Sequence, residues 1–166
     1  MQNAVPRVSA TQKEQLERLG YCLDAHPLPE RVREALRAHD WVTLDRRLGE
    51  LLQPTGGLWH HLQQYLTFES VEYILSVRDS ADPDQEDGIW HDDGSRRLAC
   101  TLSLTEDAIK LEGGCLGIRP KGGVGVLLPT PPLGELIVYQ TGVAGYEHKI
   151  HRVTAGCRVV AALWLS

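Results

Sequence analysis

Residues Tyr146–Ser166 read YEHKIHRVTAGCRVVAALWLS. From Cys157 to Leu165 the run is apolar and rich in small and β-branched residues, which predicts a strand. Arg158 interrupts it, and the two-residue period of a strand puts this arginine on one face with Val160, Ala162 and Trp164. A guanidinium turned toward a packed interior needs a partner, because an isolated buried charge is strongly unfavourable. Its planar fork matches a carboxylate through two parallel hydrogen bonds. A protein acid on the rim is one candidate for that partner.

Working outward, the same period applies to Trp90-His91-Asp92-Asp93. His91 and Asp93 converge on one face, while Asp92 points away. The plainer reading of these acids is a solvated loop. Joined by a histidine of the C-terminal stretch, they make a two-histidine, one-carboxylate set, which leaves open positions on a metal and suits non-haem Fe(II). His148 and His151 are both available for the third position, and residue type does not separate them.

Between these two stretches the pattern is of short aliphatic segments broken by Gly, Pro and Asp. It predicts strands over Val71–Val77, Gly88–Asp93, Arg97–Leu104, Gly114–Arg119, Gly123–Leu128, Glu135–Tyr139, Glu147–Ile150 and Cys157–Leu165. Short strands so closely spaced suggest a jelly roll or barrel. Gly122-Gly123-Val124-Gly125 lacks the strand-to-helix setting of a phosphate loop and reads as a hairpin turn.

The N-terminal part is helical in pattern. Thr11-Gln12-Lys13-Glu14 is a capping-box sequence, followed by Leu16 and Leu19 and stopped by Gly20. Tyr21-Cys22-Leu23 reads as a short strand. Pro29 suits the first turn of a second helix with Val32, Leu36 and His39 on one face. A third helix, Val42 to Leu52, stripes Leu44, Leu48, Leu51 and Leu52, and Gly56-Gly57 marks the loop after it. His60 and His61 follow Trp59 with no obvious third ligand, so no second metal site is expected there. His26 and His39, near helix ends, read as surface or capping residues.

The chain has 166 residues, 42% hydrophobic and 23% charged, with a net charge of −5. The length predicts one domain, 1–166, with 9–70 a helical support and 71–166 the β core. The negative charge offers no basic field for a phosphate backbone, so no nucleic-acid partner is expected. The longest apolar run is too short for a membrane span, and the first residues lack the apolar stretch of a secretory leader. Cys22, Cys100, Cys115 and Cys157 show no paired spacing and read as buried, reduced thiols. Together these predict a cytoplasmic protein with no membrane partner; the sequence leaves its oligomeric state open.

Taken in order, several motifs carry a resemblance. They are His91-x-Asp93, Glu112-Gly113-Gly114-x-Leu116, Pro132-Leu133-Gly134-Glu135-Leu136-Ile137, and His148 followed by Val153-Thr154-x-Gly156-x-Arg158 and Leu163-Trp164. The chain from about Val71 onward resembles the 2-oxoglutarate/Fe(II) dioxygenases, and most closely their prolyl-hydroxylase-like branch. The resemblance implies a mainly β fold, a double-stranded β-helix of the jelly-roll, cupin-like kind, buttressed by the N-terminal helices. It implies Fe(II), 2-oxoglutarate and O2 as cofactor and cosubstrates. Arg158 lies ten residues beyond His148 and seven beyond His151, and the family pattern has the longer spacing. The implied metal ligands are therefore His91, Asp93 and His148, with Arg158 on the distal carboxylate of 2-oxoglutarate and His151 at the rim.

Three protein ligands on an octahedral ion leave room for a chelating keto acid and O2. The resemblance implies decarboxylation to succinate and CO2 coupled to hydroxylation of a C–H bond. Related halogenases carry a small residue in place of the carboxylate, so Asp93 favours oxygenation. The branch commonly carries a tyrosine before Leu-Asn on the strand after the HxD turn; here Thr101-Leu102-Ser103 stands there instead. Thr101 and Ser103 are the candidate replacements for its hydrogen bond to the cosubstrate. Arg152 replaces the proline found before the family's Val-Thr, and with both departures the resemblance does not carry proline as the substrate.

The substrate, a small molecule or a peptide or protein side chain, must be recognised outside the barrel core. Trp90, Arg97 (or its neighbour Arg96), His151 and Trp164 are candidates for its mouth. The acids between Asp79 and Asp93 read either as a solvated loop or as a lid drawing in a cationic substrate. Two other functions fit the same residues: a cupin-like metalloenzyme that ignores 2-oxoglutarate, and a non-catalytic β-barrel binding module.

Overall fold

The computed structural model describes residues 6–166. Helix α1 (Ala10–Leu19) opens on Ser9, whose hydroxyl accepts from the Gln12 amide at 3.1 Å while the Gln12 side chain accepts from the Ser9 amide at 2.8 Å. The capping box thus sits two residues before the expected Thr11, because Ser9 is the last residue with extended backbone and Thr11 already lies inside the helix. Gly20 ends α1 in the left-handed region, φ 81, where a Cβ would also collide with the Tyr146 ring.

Helix α2 (Glu30–Arg37) is preceded by Pro29 at its cap rather than in its first turn. Val32 and Leu36 are buried as expected. His39 is not on their face: it lies past the helix with φ 51, exposed and stacked on Trp41. Asp40 caps α3 (Trp41–Leu51) through the Thr43 amide at 3.0 Å. A fourth helix, α4 (Gly57–Leu62), starts within the glycine pair expected to mark a loop and buries Leu58, His61 and Leu62. Among the described residues no helix is long and apolar enough to cross a membrane.

The β part is a double-stranded β-helix. The main sheet takes β1 (Tyr21–Ala25), β2 (Val71–Asp79), β3 (Leu98–Ser103), β7 (Glu135–Gln140) and β10 (Cys157–Leu165) in the order β1-β7-β3-β10-β2, all antiparallel. A smaller sheet takes β5 (Leu116–Pro120), β6 (Val126–Leu128) and β8 (Tyr146–Ile150) in the order β6-β5-β8. The expected glycine turn joins β5 to β6, with Gly122 at φ 71. Two short strands, β4 (Glu112–Gly113) and β9 (Val153–Ala155), form a further pair that the sequence pattern did not reveal.

Alternation sorts the main sheet into two faces. Leu98, Cys100, Leu102, Val159, Ala161, Leu163 and Leu165 form one core with Leu44, Leu48, Leu58 and Leu62 of the helices. Ala99, Ile137 and Tyr139 turn the other way and meet Leu116 and Ile118 of the smaller sheet. Helices therefore cover one face, and the other becomes the interior between the sheets.

The edge strand β1 is tied to α4 by a buried polar cluster. The Asp24 carboxylate accepts from Tyr65 Oη at 2.6 Å and pairs with His61 Nε2 at 2.6 Å, while His61 Nδ1 meets the Pro6 carbonyl at 2.9 Å. Both ring nitrogens face oxygen, so both bonds are made only when both carry protons. His26 packs against His61 and is buried, which corrects its expected surface position. Two thiols depart from expectation as well: Cys22 and Cys100 are buried, but Cys115 is half-buried and Cys157 exposed; all four are free.

Candidate metal and carboxylate site

The expected strand over Gly88–Asp93 does not form; only His91 makes a bridge, to His148 of β8. The cause is a bulge. Gly88 donates to the Ile150 carbonyl at 2.7 Å and His91 to the His148 carbonyl at 3.1 Å, so Ile89 and Trp90 together oppose the single residue Lys149. The bulge shifts the alternation and sets the exposed His91 ring against that of His148, 4.4 Å between centres.

There His91, Asp93 and His148 each offer a ligand atom within 4.8 Å of the others. His148 is 5% exposed, and its Nε2 stands 3.8 Å from Asp93 Oδ2. His91 Nδ1 meets the Ile89 carbonyl at 2.9 Å, which fixes the ring with Nε2 as its free lone pair. Asp93 Oδ2 and His148 Nδ1 are buried with no hydrogen-bond partner among the described residues. Buried polar atoms are almost always satisfied, so the unpaired Asp93 Oδ2, beside two imidazoles, fits a divalent cation. Burial holds His148 in its neutral, ligand-competent form, lowering its pKa to about 4 against the opposing pull of Asp93. Asp92 does not join the set and accepts from Lys121 at 2.8 Å.

Across the interior, Arg158 is 2% exposed. Its Nε donates to Thr130 Oγ1 at 2.9 Å, and no acid of the described residues pairs with it. Burial, and then the charge of Arg78, lower its pKa to about 10, so the guanidinium stays protonated at neutral pH. Gly114, at φ 64, lies against the Arg158 stem, where a Cβ would come within 2.8 Å of its Cδ.

Between triad and arginine stands Tyr139 of β7, which sequence reasoning missed although alternation along Glu135–Gln140 pairs it with Ile137. Its ring is 5.0 Å from that of His148, and Thr101 lies beside its hydroxyl. Burial first, then the Asp93 charge, raise its pKa, keeping the phenol protonated. Thr101 faces the interior. Ser103 shares that face, but its hydroxyl is taken up by the Pro131 carbonyl at 2.7 Å.

The residues expected at the mouth are dispersed. Trp90 lies on the outer face of the smaller sheet, over Gly117, with Arg119 stacked on its ring at 4.1 Å. The bulge that sets His91 against His148 sends its neighbour to the other face. Arg97 is exposed in a groove beside Lys13 and Glu17 of α1. Arg96 pairs with Glu72 and stands over Trp164, 5.7 Å from the ring centre. Trp164 does line the interior, with Nε1 buried and unpaired among the described residues. His151 sits near the acidic loop, 3.7 Å from Asp87. That loop is anchored: Gln85 accepts from the Val153 amide at 2.7 Å and Asp87 from the Arg152 amide at 2.6 Å.

No protein-family model and no curated protein matches the chain. Solved structures do. A prolyl-4-hydroxylase from Pseudomonas putida aligns over 99% of this chain and 98% of its own, at 19% identity and a TM-score of 0.67. A prolyl hydroxylase from Trichoplax adhaerens, solved with a hypoxia-inducible-factor peptide, covers 93% of this chain and 86% of its own at 11% identity, TM-score 0.64. An alpha-ketoglutarate-dependent carbocyclase from nogalamycin biosynthesis covers 96% and 85% at 13% identity, TM-score 0.66. What these share with the chain is its fold.

Proposed function

We propose that the protein is an Fe(II)- and 2-oxoglutarate-dependent oxygenase that hydroxylates a C–H bond of a small molecule or of a peptide side chain. The observation that carries this reading is the pairing, in one interior, of the His91–Asp93–His148 set with a buried guanidinium that has no acid partner among the described residues. A metal site alone fits a cupin-like enzyme as well; the unpaired Arg158 calls for an anionic ligand beside the metal. When bound, Fe(II) with 2-oxoglutarate and O2 supplies the oxidising power, with release of succinate and CO2.

The chain's own residues have separable tasks. His91, Asp93 and His148 would hold the ion as a two-histidine, one-carboxylate set. Arg158, oriented by Thr130, takes the distal carboxylate of the keto acid. Tyr139 offers its hydroxyl from β7 beside Thr101, the position where the branch carries its tyrosine on β3. The apolar walls, Leu116, Ile118 and Ile137, exclude water from the interior. One similar structure holds a peptide and another is a small-molecule carbocyclase, so both substrate classes belong in the first screen.

The test is an anaerobic Fe(II) titration with and without 2-oxoglutarate, following the visible charge-transfer band of a chelated keto acid. Wild type develops the band; Asp93→Ala loses metal and band together, and Arg158→Ala keeps the metal but needs far more keto acid. Metal binding with no band in wild type would overturn the proposal and leave the cupin-like reading. Succinate release then serves to screen peptides and small molecules.

A further inference from the structure

The ladder between β10 and β2 pairs Arg158 directly with Arg78. Directly opposed residues of an antiparallel pair project from the same face with Cβ atoms about 5 Å apart, and like charges so placed are destabilising. Arg78 therefore projects into the interior beside Arg158, and its charge reaches the Arg158 guanidinium. Neither arginine has a carboxylate in ion-pair range among the described residues. Arg78 is nevertheless held in place: its Nη1 donates to the Glu86 carbonyl at 3.3 Å, in the loop that Gln85 and Asp87 anchor to the sheets. One guanidinium is buried and the other half-buried. Two guanidinium groups opposed on one ladder suit a single anion shared between them, and a carboxylate has two oxygens, one for each fork.

We propose that Arg78 is a second anchor for the distal carboxylate of the keto acid, closing a two-arginine clamp with Arg158; this rests on the function proposed above. The ligand removes the repulsion that the empty ladder pair carries. Arg78 thereby sets affinity for a dicarboxylate over a monocarboxylate without touching the metal.

The experiment compares 2-oxoglutarate with 2-oxopentanoate, in which a methyl replaces the distal carboxylate, in the anaerobic Fe(II) titration of wild type, Arg78→Gln and Arg78→Lys. Arg78→Gln keeps a donor for the Glu86 carbonyl and removes the charge. It weakens 2-oxoglutarate about tenfold, the worth of one charge-assisted hydrogen bond, and leaves 2-oxopentanoate unchanged; Arg78→Lys recovers most of the loss. Without metal, glutarate raises the melting temperature of wild type but not of Arg78→Gln, whose ligand-free form melts no lower than wild type. Equal 2-oxoglutarate affinity in wild type and Arg78→Gln overturns the clamp and spares the function; so does an equal loss for both keto acids, which marks a structural role. A wild type that does not prefer 2-oxoglutarate overturns the carboxylate role of Arg158, and the clamp with it.

Discussion

Ser103 and Thr101 occupy the same strand face two residues apart, yet their surroundings separate them. The Ser103 hydroxyl satisfies the Pro131 carbonyl and accepts from the Thr105 amide at 3.4 Å. Ser103→Ala is expected to cost about 1–3 kcal/mol of stability, the penalty of a buried acceptor left unpaired, with keto-acid affinity unchanged; denaturant unfolding alongside the charge-transfer titration checks both. Tyr139→Phe should do the reverse, lowering keto-acid affinity with little loss of stability. Sequence reasoning weighed Thr101 and Ser103 alike because a strand's period assigns a face, not a partner. Alternation along β7 gives Tyr139 a face but not its neighbour: the ring reaches Thr101 diagonally from the adjacent strand.

At the level of elements, the lock between α4 and β1 concentrates stability at the sheet's edge. His61→Ala leaves the Asp24 carboxylate buried without its ring partner. Breaking such a pair costs about 3–5 kcal/mol. The expected result is a lower denaturant midpoint with faster amide exchange in Tyr21–Ala25 than in the central β10. Leu48, fully buried between helices and sheet, tests the core instead, where Leu48→Ala should cost about 2–5 kcal/mol. The end of α1 at Gly20, helix α3 and the Cys157–Leu165 strand were legible because a helix-stopping glycine and hydrophobic periodicity are local. Helix α4, β4 and β9 were not: each is too short for a period to register and forms through contacts with distant segments.

The whole molecule carries a pH dependence set by two buried groups of one cluster. Burial lowers the His26 pKa from 6.5 to about 4, so between these values the unfolded chain binds the proton more tightly. Stability from this group is therefore complete above about pH 6.5 and is lost as pH falls toward 4. The Asp24 carboxyl, desolvated by burial but held at about 2 by its bonds from His61 and Tyr65, adds stability that is lost only as pH falls below 3.8 toward 2. Metal-free wild type should show a lower urea midpoint at pH 5 than at pH 7. His26→Gln should lose part of that difference. An unchanged pH slope in the variant would contradict the assignment to His26.

What the chain's order of residues settles, and what folding adds, divide along the range of the forces involved. The glycine that stops α1, strand alternation and the single charge on an apolar strand are consequences of neighbours within a few positions, and all could be read directly. The fold class followed from them with the family resemblance. The bulge that sends Trp90 outward, the burial of His26 and His61, the approach of Tyr139 to His148 and the opposition of Arg78 to Arg158 depend on register between segments far apart in sequence. A ladder slipped by one residue would reverse every one of those faces. Local chemistry supplies the candidates for a site, and register decides which of them meet.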